Sequence, residues 1–145
     1  MLHDHALTSK LLSSLLKNKN LRLTPFRKEV LEVFTNTPNA ISIANIEAKL
    51  QQFDRITLYR TIKSFIEKGV IHEIVMPGDI KKLALCPHDC SSDSHIHTAQ
   101  HIHFRCTTCE NIFCVDLKEF PQVVIPKFKI DTIEIQGTGT CEGCL

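Results

Sequence analysis

The sequence has no run of about 18 or more uncharged apolar residues, which excludes a membrane-spanning helix. Its N-terminus carries His3, Asp4 and His5 ahead of a charged and polar stretch and lacks the apolar core of a secretory signal, which points to the cytosol. Surplus charge is also nearly absent. Seventeen Lys and Arg against sixteen Asp and Glu give +1, so the total neither announces a nucleic-acid binder nor argues for an acidic partner. With 145 residues, 43% of them hydrophobic and 23% charged, the chain suits one compact domain or two small ones and is too short for a large enzyme fold. The HExxH pattern is missing, and so is the His-x-Glu with Pro-Cys-x-x-Cys of zinc deaminases, which argues against a zinc enzyme.

The near-neutral total hides a split. Residues 1–85 hold thirteen basic and eight acidic side chains, net +5, while residues 86–145 hold four and eight, net −4. A basic front and an acidic rear imply two parts with different partners. All seven cysteines fall in the rear, and in a reducing compartment such a cluster more often binds metal than forms disulfides.

The front reads as helices followed by a hairpin. Leu7, Leu11, Leu12, Leu15 and Leu16 recur at helical spacing between His5 and Lys17. Thr24 and Pro25 form an N-cap and N1 pair for a second helix with Phe26, Val30, Leu31 and Phe34 on one side. Ser42 caps a third, with Ile43, Ile46 and Leu50 inward. A fourth runs from Asp54 to Lys68 on a stripe of Leu58, Ile62, Phe65 and Ile66, and Gly69 supplies the left-handed residue after it. Val70 to Val75 and Ile80 to Leu85, joined through Met76, Pro77, Gly78 and Asp79, read as a β-hairpin. Together these make a winged helix-turn-helix. The fourth helix would present Arg55, Thr57, Tyr59, Arg60 and Lys63 to a DNA major groove, with Lys81 and Lys82 of the hairpin on phosphates. The same pattern also fits a merely solvated basic face.

The rear reads as a metal module. Cys106-Thr-Thr-Cys109 and Cys141-Glu-Gly-Cys144 are two CxxC pairs separated by 31 residues. Each pair brings two thiolates to one ion, and two pairs complete the closed tetrahedral S₄ set of structural Zn²⁺. A disulfide or redox pair is the bland alternative, though no thioredoxin-like βαβ pattern surrounds either pair. Gln100 to His103 reads as the start of a strand, which puts His101 and His103 on one face. With His72 and Cys86 of the hairpin and Cys114 of a strand Asn111 to Val115, they form a candidate N₂S₂ or N₂S set, which favours Zn²⁺ over Fe²⁺. Buried cysteines and a solvated histidine pair would leave the same spacing. Pro87 to Ala99 is a polar loop in which His88, Cys90 and His95 are candidate extra ligands. The β-branched run from Phe128 to Gln136, with Ile130, Thr132, Ile133 and Ile135, predicts another strand, and Gly137 and Gly139 a turn before the last cysteines.

Leu23-Thr-Pro-Phe-Arg27, Thr57-Leu-Tyr-Arg60, His101-Ile-His103 just before Cys106-x-x-Cys109, and the terminal Cys141-x-x-Cys144 together resemble the ferric uptake regulator family of bacterial metal-dependent repressors, over roughly residues 10 to 144. The resemblance implies an α+β architecture. An N-terminal winged-helix DNA-binding domain (1–85) would be joined through a hinge (86–99) to a small C-terminal α/β dimerisation domain (100–145) with a Cys₄ zinc site. It further implies a cytoplasmic homodimer on a pseudo-palindromic double-stranded operator, with Arg27 joining the DNA-binding residues and a regulatory metal at the hinge. Iron and peroxide sensors of the family present carboxylates beside the two histidines. Here the position eight after Cys106 is Cys114, and the strand before the linker offers Cys86 rather than Glu, a pattern that resembles the zinc-sensing branch. Gln100 and Ile102 replace residues of the family's HHDH run, so the additional site built from it in some members is expected to be absent.

The expected mechanism is zinc as corepressor. His72, Cys86, His103 and Cys114, with His101 as substitute or added ligand, would join the hairpin to the rear strands and hold two recognition helices about one DNA turn apart. An iron- or peroxide-sensing regulator, with Fe²⁺ in the regulatory site, is the alternative, and a zinc-stapled protein-interaction module the more distant one.

Overall fold

The computed structural model describes residues 3–85, 101–119, 121–131 and 133–145. Four helices come first: α1 (His3–Asn18), α2 (Pro25–Thr35), α3 (Ile43–Lys49) and α4 (Arg55–Glu67). Short polar side chains set three of their starts. Thr24, Ser42 and Asp54 each accept a hydrogen bond from the amide three residues on, satisfying donors that the first helical turn leaves open. The end of α4 is equally local: Gly69 adopts φ 70°, its N–H reaches the Ile66 carbonyl at 3.1 Å, and the Val70 N–H reaches the Phe65 carbonyl at 2.8 Å. The chain then enters the antiparallel hairpin of β1 (Ile71–Met76) and β2 (Ile80–Leu85), turning through Gly78 at φ 89°. Ile41 and Leu83 exchange two backbone hydrogen bonds of 2.8 Å each, adding a one-residue third rung to the hairpin.

Leu16, Val30, Leu31, Ile46, Leu58, Phe65, Val70 and Ile71 bury one core shared by the four helices and the hairpin. Each such side chain contributes about 1.5–3 kcal/mol over leaving it exposed. This is the winged helix-turn-helix that the periodicity predicts.

The rear holds β3 (His101–Cys106), β4 (Ile112–Asp116) and β5 (Gln136–Gly139), ordered β4-β3-β5, with β4 antiparallel and β5 parallel to β3. The strand predicted over Phe128 to Gln136 is therefore displaced, and Gly137 and Gly139 pair with Phe104 and Cys106 instead of forming a turn. The reason is steric. A Cβ on Gly137 would stand 3.0 Å from Ile102 Cδ1, and one on Gly139 3.1 Å from Phe104 Cζ, so only a bare backbone approaches β3 this closely. Among the described residues of the rear, the only helical element is a single 3-10 turn, Glu142–Cys144, and the segment after β4 is interrupted by Pro121 and Pro126.

The two parts meet along a seam. In β1, Ile71 joins the first core, whereas Ile74 and Met76 point the other way and join Ala40, Ala84 and Ile112 in a second buried cluster. Hydrogen bonds between described residues cross the same seam. The Ala40 N–H donates to the Ile112 carbonyl at 2.7 Å, Asn39 Nδ2 to Asn111 Oδ1 at 3.3 Å, and Gln136 Nε2 to the Val75 carbonyl at 2.8 Å. Among the described residues, no helix is long and apolar enough to cross a membrane.

Candidate metal centre and nucleic-acid interface

Two clusters of metal-ligating side chains lie on opposite faces of β3. The first gathers Cys106, Cys109, Cys141 and Cys144, whose sulfurs all lie within 4.8 Å of one another. Local turns place them. Cys106 ends β3 with its N–H on the Asn111 carbonyl at 2.9 Å, which closes the loop carrying Cys109. Cys141 opens the 3-10 turn that brings Cys144 round, and the parallel pairing of β5 with β3 puts both turns at one end of the sheet. The buried Cys106 Sγ accepts N–H groups from Cys109 at 3.5 Å and Cys141 at 3.4 Å. Those amides favour the thiolate and hold the Cys106 pKa down at about 6. Cys144 is pushed up to about 12, because its proton bonds the Cys141 sulfur and burial disfavours its charge. Burial likewise raises Cys141.

The second cluster spans the seam. His72 stands on the inner face of β1, buried, with Ala84 opposite on β2. His103 on β3 and Cys114 on β4 are directly paired across the rear sheet. Side-chain alternation points both toward the hairpin, so that the ligand atoms of His72, His103 and Cys114 all lie within 4.8 Å of one another. The two imidazoles stack at 5.3 Å between centroids and 19° between planes, with Nε2 facing Nε2 at 3.3 Å.

One edge of each cluster matches that of a tetrahedral zinc ion. At ordinary zinc bond lengths, two imidazole nitrogens on one ion stand about 3.3 Å apart and two thiolates about 3.8 Å. The His72–His103 nitrogens are 3.3 Å apart, and the Cys109–Cys141 sulfurs 3.8 Å.

His101 occupies the register position opposite Asp116. Its side chain, together with Cys86 and the loop residues His88, Cys90 and His95, lies outside the described residues.

On α4, Arg55, Thr57, Tyr59, Arg60 and Lys63 are all exposed, opposite the buried Leu58, Ile62 and Phe65. Their freedom differs. Arg55 pairs with Glu47 of α3 at 3.7 Å and Lys63 with Glu67 at 3.9 Å. The Thr57 hydroxyl donates to Asp54 Oδ2 at 2.9 Å, which commits it to the helix cap. Arg27 is half-buried, its Nη1 on the Arg22 carbonyl at 2.7 Å. Lys81 is exposed, whereas Lys82 turns to the seam and lines a cleft of about 310 Å³ with Lys49, Glu110 and Asn111. Sequence reading missed Ile56, which is 63% exposed within the same helix face, an apolar side chain suited to a thymine methyl. Its i, i+3, i+4 spacing to Tyr59 and Arg60 was the available signal.

A winged helix whose wing closes on a sheet bearing histidine and cysteine clusters is the build of a metal-responsive transcriptional regulator. The sequence pattern of the ferric uptake regulator family matches residues 18–136, and the chain belongs to that family. It is 25% identical over 138 residues to a ferric uptake regulation protein of Staphylococcus epidermidis, covering 90% of this chain and 91% of the relative. It is 28% identical over 140 residues to the peroxide operon regulator of Bacillus subtilis, covering 89% and 88%. Among solved structures, a zinc uptake regulator complexed with zinc and DNA superposes with a TM-score of 0.62 at 24% identity, covering 94% of each chain. The Vibrio cholerae ferric uptake regulator superposes at 0.59 and 19% identity, covering 89% of this chain and 98% of that one. Members of this family are DNA-binding transcriptional regulators rather than enzymes, and this chain is one of them.

Proposed function

We propose that the protein is a zinc-responsive repressor. The observation that carries the reading is the convergence of His72, from the wing, with His103 and Cys114, from the rear sheet, on one small volume. A thiol in place of a carboxylate makes the donor set borderline-soft, which suits Zn²⁺ better than Fe²⁺. Cys86, which follows the last residue of β2, is the proposed fourth ligand, and His101 the substitute or added one. In the proposed division, the wing belongs to residues 1–85, the hinge is 86–99, and the dimerisation part is 100–145.

A bound Zn²⁺ would supply a divalent charge with a tetrahedral preference. The chain does the rest. His72 ties the wing, and with it α4, to the sheet, while Cys106, Cys109, Cys141 and Cys144 form the proposed structural zinc site that pins the C-terminus to β3. The apolar face of the sheet, with Ile102, Phe104, Phe113 and Val115 around a hollow of about 730 Å³ that the described residues leave open, supports a homodimer. Two copies would then present two α4 helices to a pseudo-palindromic operator, Tyr59, Arg60 and Lys63 leading, with Arg27 and Arg55 as further contacts.

For repression to go from about 1% to 99%, the DNA-competent arrangement must bind the ion about 10⁴-fold more tightly than the open one. Ligands drawn from both sides of a seam meet that demand, because separating the parts dismantles the site. The test is operator binding titrated against buffered Zn²⁺. Affinity should rise steeply with zinc, and equal affinity with and without metal rejects the reading. The similarity to a peroxide operon regulator gives a second reading, iron-dependent peroxide sensing, whose mark is loss of DNA binding when the Fe²⁺-loaded protein meets peroxide.

A further inference from the structure

We propose that Gln136 is a positioning residue for the His72–His103–Cys114 trio. It fastens the wing strand that carries His72 to the sheet that carries His103. This rests on the two-site zinc reading above.

Gln136 opens β5 and stands opposite His103 in the parallel ladder, where the His103 N–H bonds the neighbouring Ile135 carbonyl at 3.1 Å. Its backbone is therefore part of the frame that holds one imidazole. Its side chain goes the other way, with Nε2 donating across the seam to the Val75 carbonyl at 2.8 Å, 61 residues away in sequence. Val75 is three residues past His72 on β1. One side chain thus ties β1 to β5, the strand paired with β3, beside the β1–β3 span of the His72–His103 contact. The other crossings of the seam, Ala40 to Ile112 and Asn39 to Asn111, lie at the cysteine-loop end of β4. At the histidine end, the Gln136 bond adds to the His72–His103 contact in resisting a hinging of the seam. Hinging there changes the Nε2–Nε2 separation, the edge that has to match a tetrahedral ion.

The residue type fits the task. The carbonyl of Val75 accepts here, and an amide can donate to it without adding a charge beside the trio. A glutamate of the same shape cannot donate when ionised, and would set a carboxylate against a carbonyl.

The test uses the full chain and Zn²⁺ itself, comparing wild type with Gln136→Glu, Gln136→Ala and Gln136→Lys. Loss of one hydrogen bond predicts an affinity of the second zinc that falls about three- to tenfold in Gln136→Glu and Gln136→Ala. The midpoint of zinc-dependent operator binding should shift by the same factor. Gln136→Lys, which keeps a donor but adds a positive charge beside the trio, recovers part of it. The first zinc and the melting temperature stay as in the wild type, which a general loss of structure would not allow. In parallel, hydrogen exchange of the 71–76 peptide should quicken in Gln136→Glu before metal is added.

Unchanged second-site affinity in Gln136→Glu overturns the proposal, even if exchange quickens. A wild-type chain that takes up only one zinc would overturn the two-site reading instead. In that case the exchange measurement alone decides whether Gln136 fastens the wing, and unchanged exchange overturns that as well.

Discussion

The Nε2 atoms of His72 and His103 stand 3.3 Å apart, one on the wing and the other on the rear sheet, although the residues are 31 positions apart in the chain. Any rotation of the winged helix about the seam alters this separation. On the proposed reading the pair is both a ligand set and a gauge of where α4 points.

Replacing a member of the trio should uncouple DNA binding from metal. For His72→Ala or Cys114→Ala, the second-site zinc affinity is expected to fall by about 10- to 100-fold or more, since even partners one shell out commonly cost that much. The Cys₄ zinc should remain, so native mass spectrometry should show one ion per chain where the wild type shows two. Cys114→Asp should shift relative preference from Zn²⁺ toward Fe²⁺, measurable by competition.

Proton release gives a second check. Cys106, held near pH 6, is already a thiolate at neutral pH and gives up nothing when metal arrives. Cys144, pushed toward 12, and Cys141, also raised, keep their protons across the neutral range and must lose them to bind. Zinc affinity of the cysteine cluster should thus rise with pH from 6 to 8, by about tenfold per unit for each proton displaced. Below the Cys106 value a further proton competes and the dependence steepens. Affinity that is flat with pH would contradict this assignment.

On the DNA side, Tyr59→Ala and Arg60→Ala are each expected to cost about 1–3 kcal/mol of operator affinity, with zinc content unchanged. Thr57→Ala should act differently. Its hydroxyl serves the α4 cap, so melting temperature should move more than DNA affinity does. Fluorescence anisotropy at fixed salt, paired with thermal melts, separates the two.

Gly137→Val should destabilise the rear sheet. Its first new carbon would meet Ile102 Cδ1 at 3.0 Å and Phe104 Cδ2 at 3.3 Å, and two more methyls must also fit. The expected loss is about 1–3 kcal/mol, read by denaturant titration. Because β5 leads into Cys141, chelator should strip zinc faster from this variant.

The parts of the fold that were readable in the sequence are those with local causes. Thr24 with Pro25, Ser42, Asp54 and Gly69 mark helix ends through hydrogen bonds that reach no further than three to five residues, and the structure puts the ends there. The cysteine pairs were legible because a CxxC turn is itself a local geometry. The position of β5 was not. The run Ile130 to Ile135 has the greater strand propensity, yet pairing with β3 goes to Gln136–Gly139, where the ring of Phe104 leaves room only for glycine. The seam bonds of Asn39, Ala40 and Gln136 were invisible for the same reason: their partners lie far off in the chain, and no periodicity announces them.

His103 and Cys106 lie three positions apart on one strand, and on its two faces. The strand thus makes the thiolate cluster a foundation for the imidazole pair. A chelator or oxidant strong enough to empty the former would let β3 fray and blunt the latter, whatever the free zinc level. With zinc at both sites, as proposed, loss of the ion from the four cysteines would then read, downstream, as starvation for the one at the histidines.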